Sequence, residues 1–457
     1  MAADDLLLQG GTRLLHIGPH KTGTSAIQGA LHLARERLAT HGVVYPGRGR
    51  QTLWPILAIT GQPALLGEPK PDIAHWDLLV RAVSAAADKR VVISSEFFAE
   101  ASDATASRVI ADLGGEQVHV VTTLRPLSRI LPSQWQQYVQ NGFRLSYDEW
   151  LAGILRHPPR TPTPGFWRRH RHDDLIDRWA SAAGAGNLTV VVVDESDPLM
   201  LLRVFESMLG LPHGFLEPAA DAANRSLTFA ETEVVRMLNQ EFKRRGWPDS
   251  SYPRFMRYGA IFQMKTGRQP APDEPRIVTP AWALERAADI GAEMAANIRA
   301  LGVRVVGDLS TLGQNPADPA REAAAGAVRA YLAIPSQPAA GTHARVALVT
   351  TGAAGEPLPG EAGVSASPMA ATPVYLAPAT SASAPRRAPA PEAGPAESLL
   401  PAEAAVHAVL GALVAGGVAM QDAADKLGDV DARTMARVLA QRLRRRLLTK
   451  LRLSRQP

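Results

Sequence analysis

The chain has 457 residues, 46% of them apolar, and no cysteine, which excludes disulfide stapling, thiolate catalysis and cysteine zinc sites. Its formal charge of +5 belongs to the end of the chain: residues 432–457 hold nine Lys or Arg and no acid, so the rest is net acidic and specific nucleic-acid binding is not expected. The first residues are acidic with three consecutive leucines, unlike a signal peptide, and no apolar run approaches the ~20 residues that span a bilayer, so a cytoplasmic protein is expected.

In chain order, residues 14–17, 91–93, 118–121, 190–193 and 303–306 are short apolar runs, most of them rich in β-branched residues. Stretches of helical length separate them, among them 25–40, 128–140 and 199–209. Buried strands alternating with helices predict an α/β domain over residues 1–313, a parallel sheet flanked by helices. All eight tryptophans fall inside it, from Trp54 to Trp282. Residues 314–398 turn to Ala, Pro, Gly, Ser and Thr, which cannot bury enough apolar surface to offset chain entropy, and a flexible, disordered linker is expected there. Over 399–457 helical spacing returns, with Leu439, Leu443, Leu447 and Leu451 four apart among arginines. That basic amphipathic end suits an anionic membrane surface, which would place the protein at the inner face of a membrane, or a partner protein, or simply solvent.

The first apolar run leads into Gly18-Pro19-His20-Lys21-Thr22-Gly23-Thr24-Ser25 and then a helical pattern. A strand, a glycine-rich loop and a helix form an anion cradle, because glycines let backbone approach the anion and the first helical amides donate to it. Against the nucleotide-triphosphate pattern GxxxxGK[ST], glycines fit at 18 and 23. Thr24, however, stands where that motif requires its lysine, and Lys21 comes three residues earlier. After the third run, Arg125 and Ser133 are eight apart, and Pro126 between them suits the first helical position. Arg125 is therefore expected at the carboxyl edge of a strand, with Ser133 about two turns along a helix, where a guanidinium and a hydroxyl can grip a phosphate outside the transferred group.

A K-T-G-T-S loop after one strand and an R-x7-S element after a later one resemble the sulfotransferase family, in its bacterial form. Further likeness lies in 190–195, in Leu209-Gly210-Leu211-Pro212, in Asn224-Arg225-Ser226-Leu227 and in 302–312, so the resemblance covers roughly the first 310 residues. It implies a P-loop NTPase-like sulfotransferase fold, 3′-phosphoadenosine 5′-phosphosulfate as co-substrate, no metal, and an unidentified acceptor, a carbohydrate or glycolipid among the candidates. By the same resemblance Lys21, Thr22, Gly23, Thr24 and Ser25 take the 5′ side of the donor, and Arg125 and Ser133 its 3′-phosphate. His20 departs from the small residue common at its loop position.

Sulfuryl transfer needs alignment, charge neutralisation at the leaving phosphate, for which Lys21 is the catalytic candidate, and a base for the acceptor proton. The second apolar run ends Ser94-Ser95-Glu96, a carboxylate at the sheet's carboxyl edge. Glu96 either takes that proton, as a glutamate does in several carbohydrate-modifying members, or orients Lys21 or caps the next helix. The run 166–174, FWRRHRHDD, reads as a solvated face or an anion site. Residues 252–268, with Arg254, Arg257, Tyr258, Lys265 and Arg268, read as a basic cover for the donor. Two other functions share part of this pattern: a P-loop kinase or nucleotidase, which requires the lysine beside Ser25, and a non-catalytic scaffold on a nucleotide fold.

Overall fold

The computed structural model describes residues 6–63, 69–156, 162–163, 165–219, 225–272 and 274–314. The readings made for the linker and the basic tail lie outside the described residues.

Six strands form one sheet: β1 (Arg13–His16), β2 (Val43–Val44), β3 (Arg90–Ser94), β4 (Val118–Leu124), β5 (Leu188–Val192) and β6 (Arg304–Val306). Their order is β2-β3-β1-β4-β5-β6 and every pairing is parallel, with Leu15 opposite Ile93 on one side and Val120 on the other. Helices cover both faces, which is why the central strands carry adjacent apolar residues rather than a strict apolar–polar alternation. The pleat sends Leu15, Ile93, Val120 and Val190 to one face, against Trp76, Val109, Trp179 and Ile298. Leu14, Val92, Val121 and Val191 go to the other, against Ile27, Leu31 and Phe205. Each fully buried aliphatic side chain of this kind contributes about 1.5–3 kcal/mol over leaving it in water.

A third apolar cluster is entirely helical. Helices Leu127–Gln140, Tyr147–Leu151 and Phe229–Arg244, the wide helical turn Pro253–Ile261 and part of Ala281–Ala300 close around Trp135, Trp150, Phe166 and Phe242. Helix Leu127–Gln140 leaves directly from the end of β4, so it joins this helical layer to the sheet.

The connections decide where a ligand can sit. From β1 the chain passes to the edge at β2, returns through β3, then crosses β1 to reach β4. The loop after β1 therefore emerges in the middle of the carboxyl edge, where the winding reverses, and open α/β sheets bind ligands there. Two expectations change in detail. The 25–40 helix is two helices, Thr24–Leu33 and Arg35–Ala39, and Pro126 caps helix Leu127–Gln140 from outside instead of occupying its first turn. None of the described helices is long and apolar enough to cross a membrane.

Candidate functional site

The loop between β1 and the helix Thr24–Leu33 is held from beneath by hydroxyls. Thr22 donates to the Pro19 carbonyl at 2.7 Å and shares a 2.7 Å hydrogen bond with Thr123 of β4, while Thr122 donates to the Gly18 carbonyl at 2.9 Å. His16, fully buried, ties the same three strands together, its ring nitrogens lying 2.8 Å from Ser94 Oγ and 3.3 Å from Thr123 Oγ1. Burial pushes its pKa down to about 3, so it is a neutral cross-link. Thr22 and Thr24 are buried too, so their side chains shape the loop, whereas Ser25 is exposed at the helix start.

Two backbone features open the loop upward. Lys21 itself adopts a left-handed conformation (φ 69°), uncommon for a residue with a Cβ and the kind of local strain that marks ligand sites. Gly23 has φ 102° and serves as the helix cap without any side-chain hydrogen bond, and the first turn carries no acidic residue. The first amides of that helix have no intrahelical partner by geometry, and the helix dipole adds positive potential where they emerge. A Cβ on Gly18 would stand 2.8 Å from Glu96 Cα, which fixes how closely the carboxylate segment packs on the loop.

Lys21 and Glu96 lie near enough for their charges to interact. Desolvation and, after it, the positive charge of Lys265 lower the Lys21 pKa, the Glu96 carboxylate opposes both, and together they bring it from 10.5 to about 8. Glu96 is steadied by Gln28 of the following helix, whose Nε2 donates to Glu96 Oε2 at 3.2 Å and to the Ser94 carbonyl at 3.1 Å. The cap of the short turn Glu96–Glu100 is Ser95, whose hydroxyl accepts from the Phe97 amide, so Glu96 is not needed for capping. Lys265 was one residue of a diffuse basic stretch in the sequence. Of that stretch, Arg268 is buried and pairs with Glu231 and Glu274, leaving Lys265 as the cation that faces Lys21.

Arg125 follows β4 immediately and Ser133 lies seven residues into helix Leu127–Gln140. The Arg125 Nε is 4.0 Å from Glu195 and, among the described residues, has no hydrogen-bond partner. Arg129, one turn along, sits 2.9 Å from the same carboxylate. Ser133 donates to the Ile130 carbonyl within its own helix. Glu195 was invisible in the sequence as a partner, since it comes from the loop after β5. Compared with known protein families, with curated proteins and with solved structures, the chain finds no match.

Two clefts open along this edge. The larger, about 650 Å³, lies beyond β5 and β6 and is lined by Asp194, Glu195, Asp197 and Asp308 together with Arg129, which pairs with Glu195. The smaller, about 390 Å³, lies beside the Lys21 loop, with His20 and Glu100 in its lining. It takes in part of the charged run 166–174, read from the sequence as a solvated face or an anion site. Arg169 turns inward to Glu100 at 2.9 Å, and His170 and His172 are fully buried. The signal lay in Phe166 and His170, four apart, followed by Leu175, Ile176 and Trp179 on one helical face. Among the described residues no cluster of His, Asp or Glu is arranged to hold a metal ion.

Proposed function

We propose that this chain is a sulfotransferase, on a P-loop NTPase-like fold of the sulfotransferase type, that moves a sulfuryl group from 3′-phosphoadenosine 5′-phosphosulfate to a hydroxyl or amine acceptor. The observation that carries this reading is a left-handed Lys21, at the mid-edge loop, within electrostatic reach of the Gln28-steadied carboxylate of Glu96. A nucleotide-triphosphate site would need a lysine at position 24, and a buried threonine stands there, its hydroxyl turned to the Pro19 carbonyl at 3.5 Å.

In this reading Lys21, the Thr22–Ser25 backbone amides and the Ser25 hydroxyl hold the 5′-phosphosulfate. The unpartnered Arg125 Nε, with Ser133, suits the 3′-phosphate. The acceptor oxygen attacks sulfur, its proton passes to a Glu96 carboxylate oxygen, and the bond between sulfur and the bridging phosphate oxygen breaks. The electron pair leaves on the 5′-phosphate, where the Lys21 ammonium neutralises it. Lys21 must be charged for that step, and an anionic donor beside it raises its proton affinity.

Calorimetry with two nucleotides tests the donor. Adenosine 3′,5′-bisphosphate should bind more tightly than adenosine 5′-monophosphate, by the roughly 1.5–3 kcal/mol of a charge-assisted contact, and Arg125→Ala should remove most of the difference. Equal affinity for the two, or tighter binding of ATP with magnesium, would falsify the sulfuryl-donor reading.

A further inference from the structure

The cleft beside the Lys21 loop has a chemical character of its own. Four carboxamides reach it, Gln62, Gln134, Gln137 and Asn141, and three aromatic rings, Phe97, Tyr138 and Tyr252, supply flat apolar walls. At its floor His20 stands edge-on to Phe97, ring centroids 5.4 Å apart, with Nε2 lying 3.7 Å from Glu100 and without a hydrogen-bond partner among the described residues. The His20 side chain is only 7% exposed, so this nitrogen is a buried polar atom left for something else to meet.

Charge narrows the ligand. The Glu100 carboxylate and the Arg169 guanidinium neutralise each other at 2.9 Å, so the inner cleft offers an anion no uncompensated cation. Desolvation pushes the Glu100 carboxyl up, but the neighbouring His20 ring and the Arg169 charge outweigh it and hold its pKa below the usual carboxylate value. Arg257, at the rim, points to Asn141 at 3.4 Å. A purely apolar ligand would strand the carboxamides, and sites built from buried hydrogen-bonding groups reject analogues that lack the partner. Each carboxamide both donates and accepts, which matches hydroxyls that do the same. Aromatic walls match the C–H faces of a ring. The volume falls within the range of small-molecule pockets.

We infer that this cleft binds a neutral polyhydroxylated ligand, a saccharide, and that it presents a saccharide hydroxyl to the Lys21 loop as the acceptor. The second half rests on the sulfuryl-transfer reading. Saturation-transfer NMR on the full chain tests the first half independently, with maltose, lactose and N,N′-diacetylchitobiose as neutral probes, and 2-naphthol and glucuronate as apolar and anionic ones. At least one neutral saccharide should bind, and Gln137→Ala should weaken it about fivefold, the loss of one hydrogen bond, with adenosine 3′,5′-bisphosphate affinity unchanged. Gln137→Glu, which keeps the size, reports whether the carboxamide or mere packing matters, and it should weaken binding too.

If the bisphosphate binds but none of the neutral saccharides does, or if 2-naphthol or glucuronate is preferred, the saccharide assignment is overturned and the sulfuryl-transfer reading stands. If saccharides bind and the bisphosphate does not, the sulfuryl-transfer reading fails and the cleft remains a saccharide site. Unchanged saccharide binding in both Gln137 variants places the probe elsewhere and overturns the assignment.

Discussion

Lys21 titrates near the pH at which it must work, and that has two consequences of opposite sign. With its pKa lowered from 10.5 to about 8, it is charged below that value and neutral above it. Affinity for adenosine 3′,5′-bisphosphate should therefore fall about tenfold or more between pH 7 and 9.5, and Lys21→Arg should flatten the profile because a guanidinium stays charged. Over the same window the unfolded chain binds more protons at this lysine than the folded one, so stability without ligand rises from about pH 8 to 10.5. Denaturant midpoints compared with those of Lys21→Met isolate that contribution. Glu96→Gln keeps size and the Gln28 contact but cannot accept a proton. We expect turnover to fall by roughly two to four orders of magnitude with donor affinity little changed, and a parallel fall in both would make Glu96 an orienting group. Glu195 is 39% exposed and Arg125 33%, so their ion contact is of the screened, surface kind, worth about 0–1 kcal/mol. Glu195→Gln should release Arg125 and tighten bisphosphate binding up to about fivefold by calorimetry, whereas a loss of affinity would show that Glu195 orients the guanidinium.

At the scale of elements, the turn from β1 into its helix depends on Gly23. Its φ of 102° disfavours any Cβ, and one placed there would stand 2.4 Å from Leu201 Cδ1. Gly23→Ala should cost about 1–2 kcal/mol in the denaturant midpoint from the backbone alone and loosen the donor cradle with it. Parts of this architecture were legible from residues and parts were not. β1, β3, β4 and β5 declared themselves because both faces are covered and each carries consecutive apolar residues at its centre. β2 is two residues long, Val43–Val44, too short to carry a period. Lys21, Glu96 and Arg125 could be placed because each lies in the segment that leaves the carboxyl end of a strand. The small cleft could not, since Glu100, Gln134 and Arg169 come from three separate elements and only packing brings them together. Arg169 looked solvated because a run of charges carries no sign of which member has a buried partner.

Across the described residues, one buried ion cluster ties the late helical segments together. Glu231, with no exposed side-chain surface, takes both Arg225 and Arg268, closes the capping box of helix Phe229–Arg244 with Thr228, and through Arg268 reaches Glu274. Desolvation pushes the Glu231 carboxyl up, but Arg225, the Thr228 amide and Arg268 outweigh it and hold it below 4.5. A depressed carboxyl contributes stability that is present above the unfolded pKa and lost as pH falls through the folded one. Glu231→Gln should thus lower stability at neutral pH by about 1.5–3 kcal/mol, the loss of charge-assisted contacts to Arg225 and to Arg268, which keeps Glu274, and should flatten the acid limb below pH 4.5. Chemical denaturation across pH 3–7 measures both.

Helix Leu127–Gln140 runs for about 20 Å, with Pro132 inside it just ahead of Ser133. Ser133 sits on it one residue before Gln134, and Gln137 and Tyr138 follow within a turn. If a donor phosphate seats Ser133, the same helical segment beyond Pro132 carries the cleft wall, so a lost degree of freedom is shared between two ligands instead of being lost twice. Thermodynamic linkage then requires reciprocity: whatever factor adenosine 3′,5′-bisphosphate adds to saccharide affinity, saccharide must add to that of the nucleotide. The two substrates would be partners in ordering one helix before they ever react.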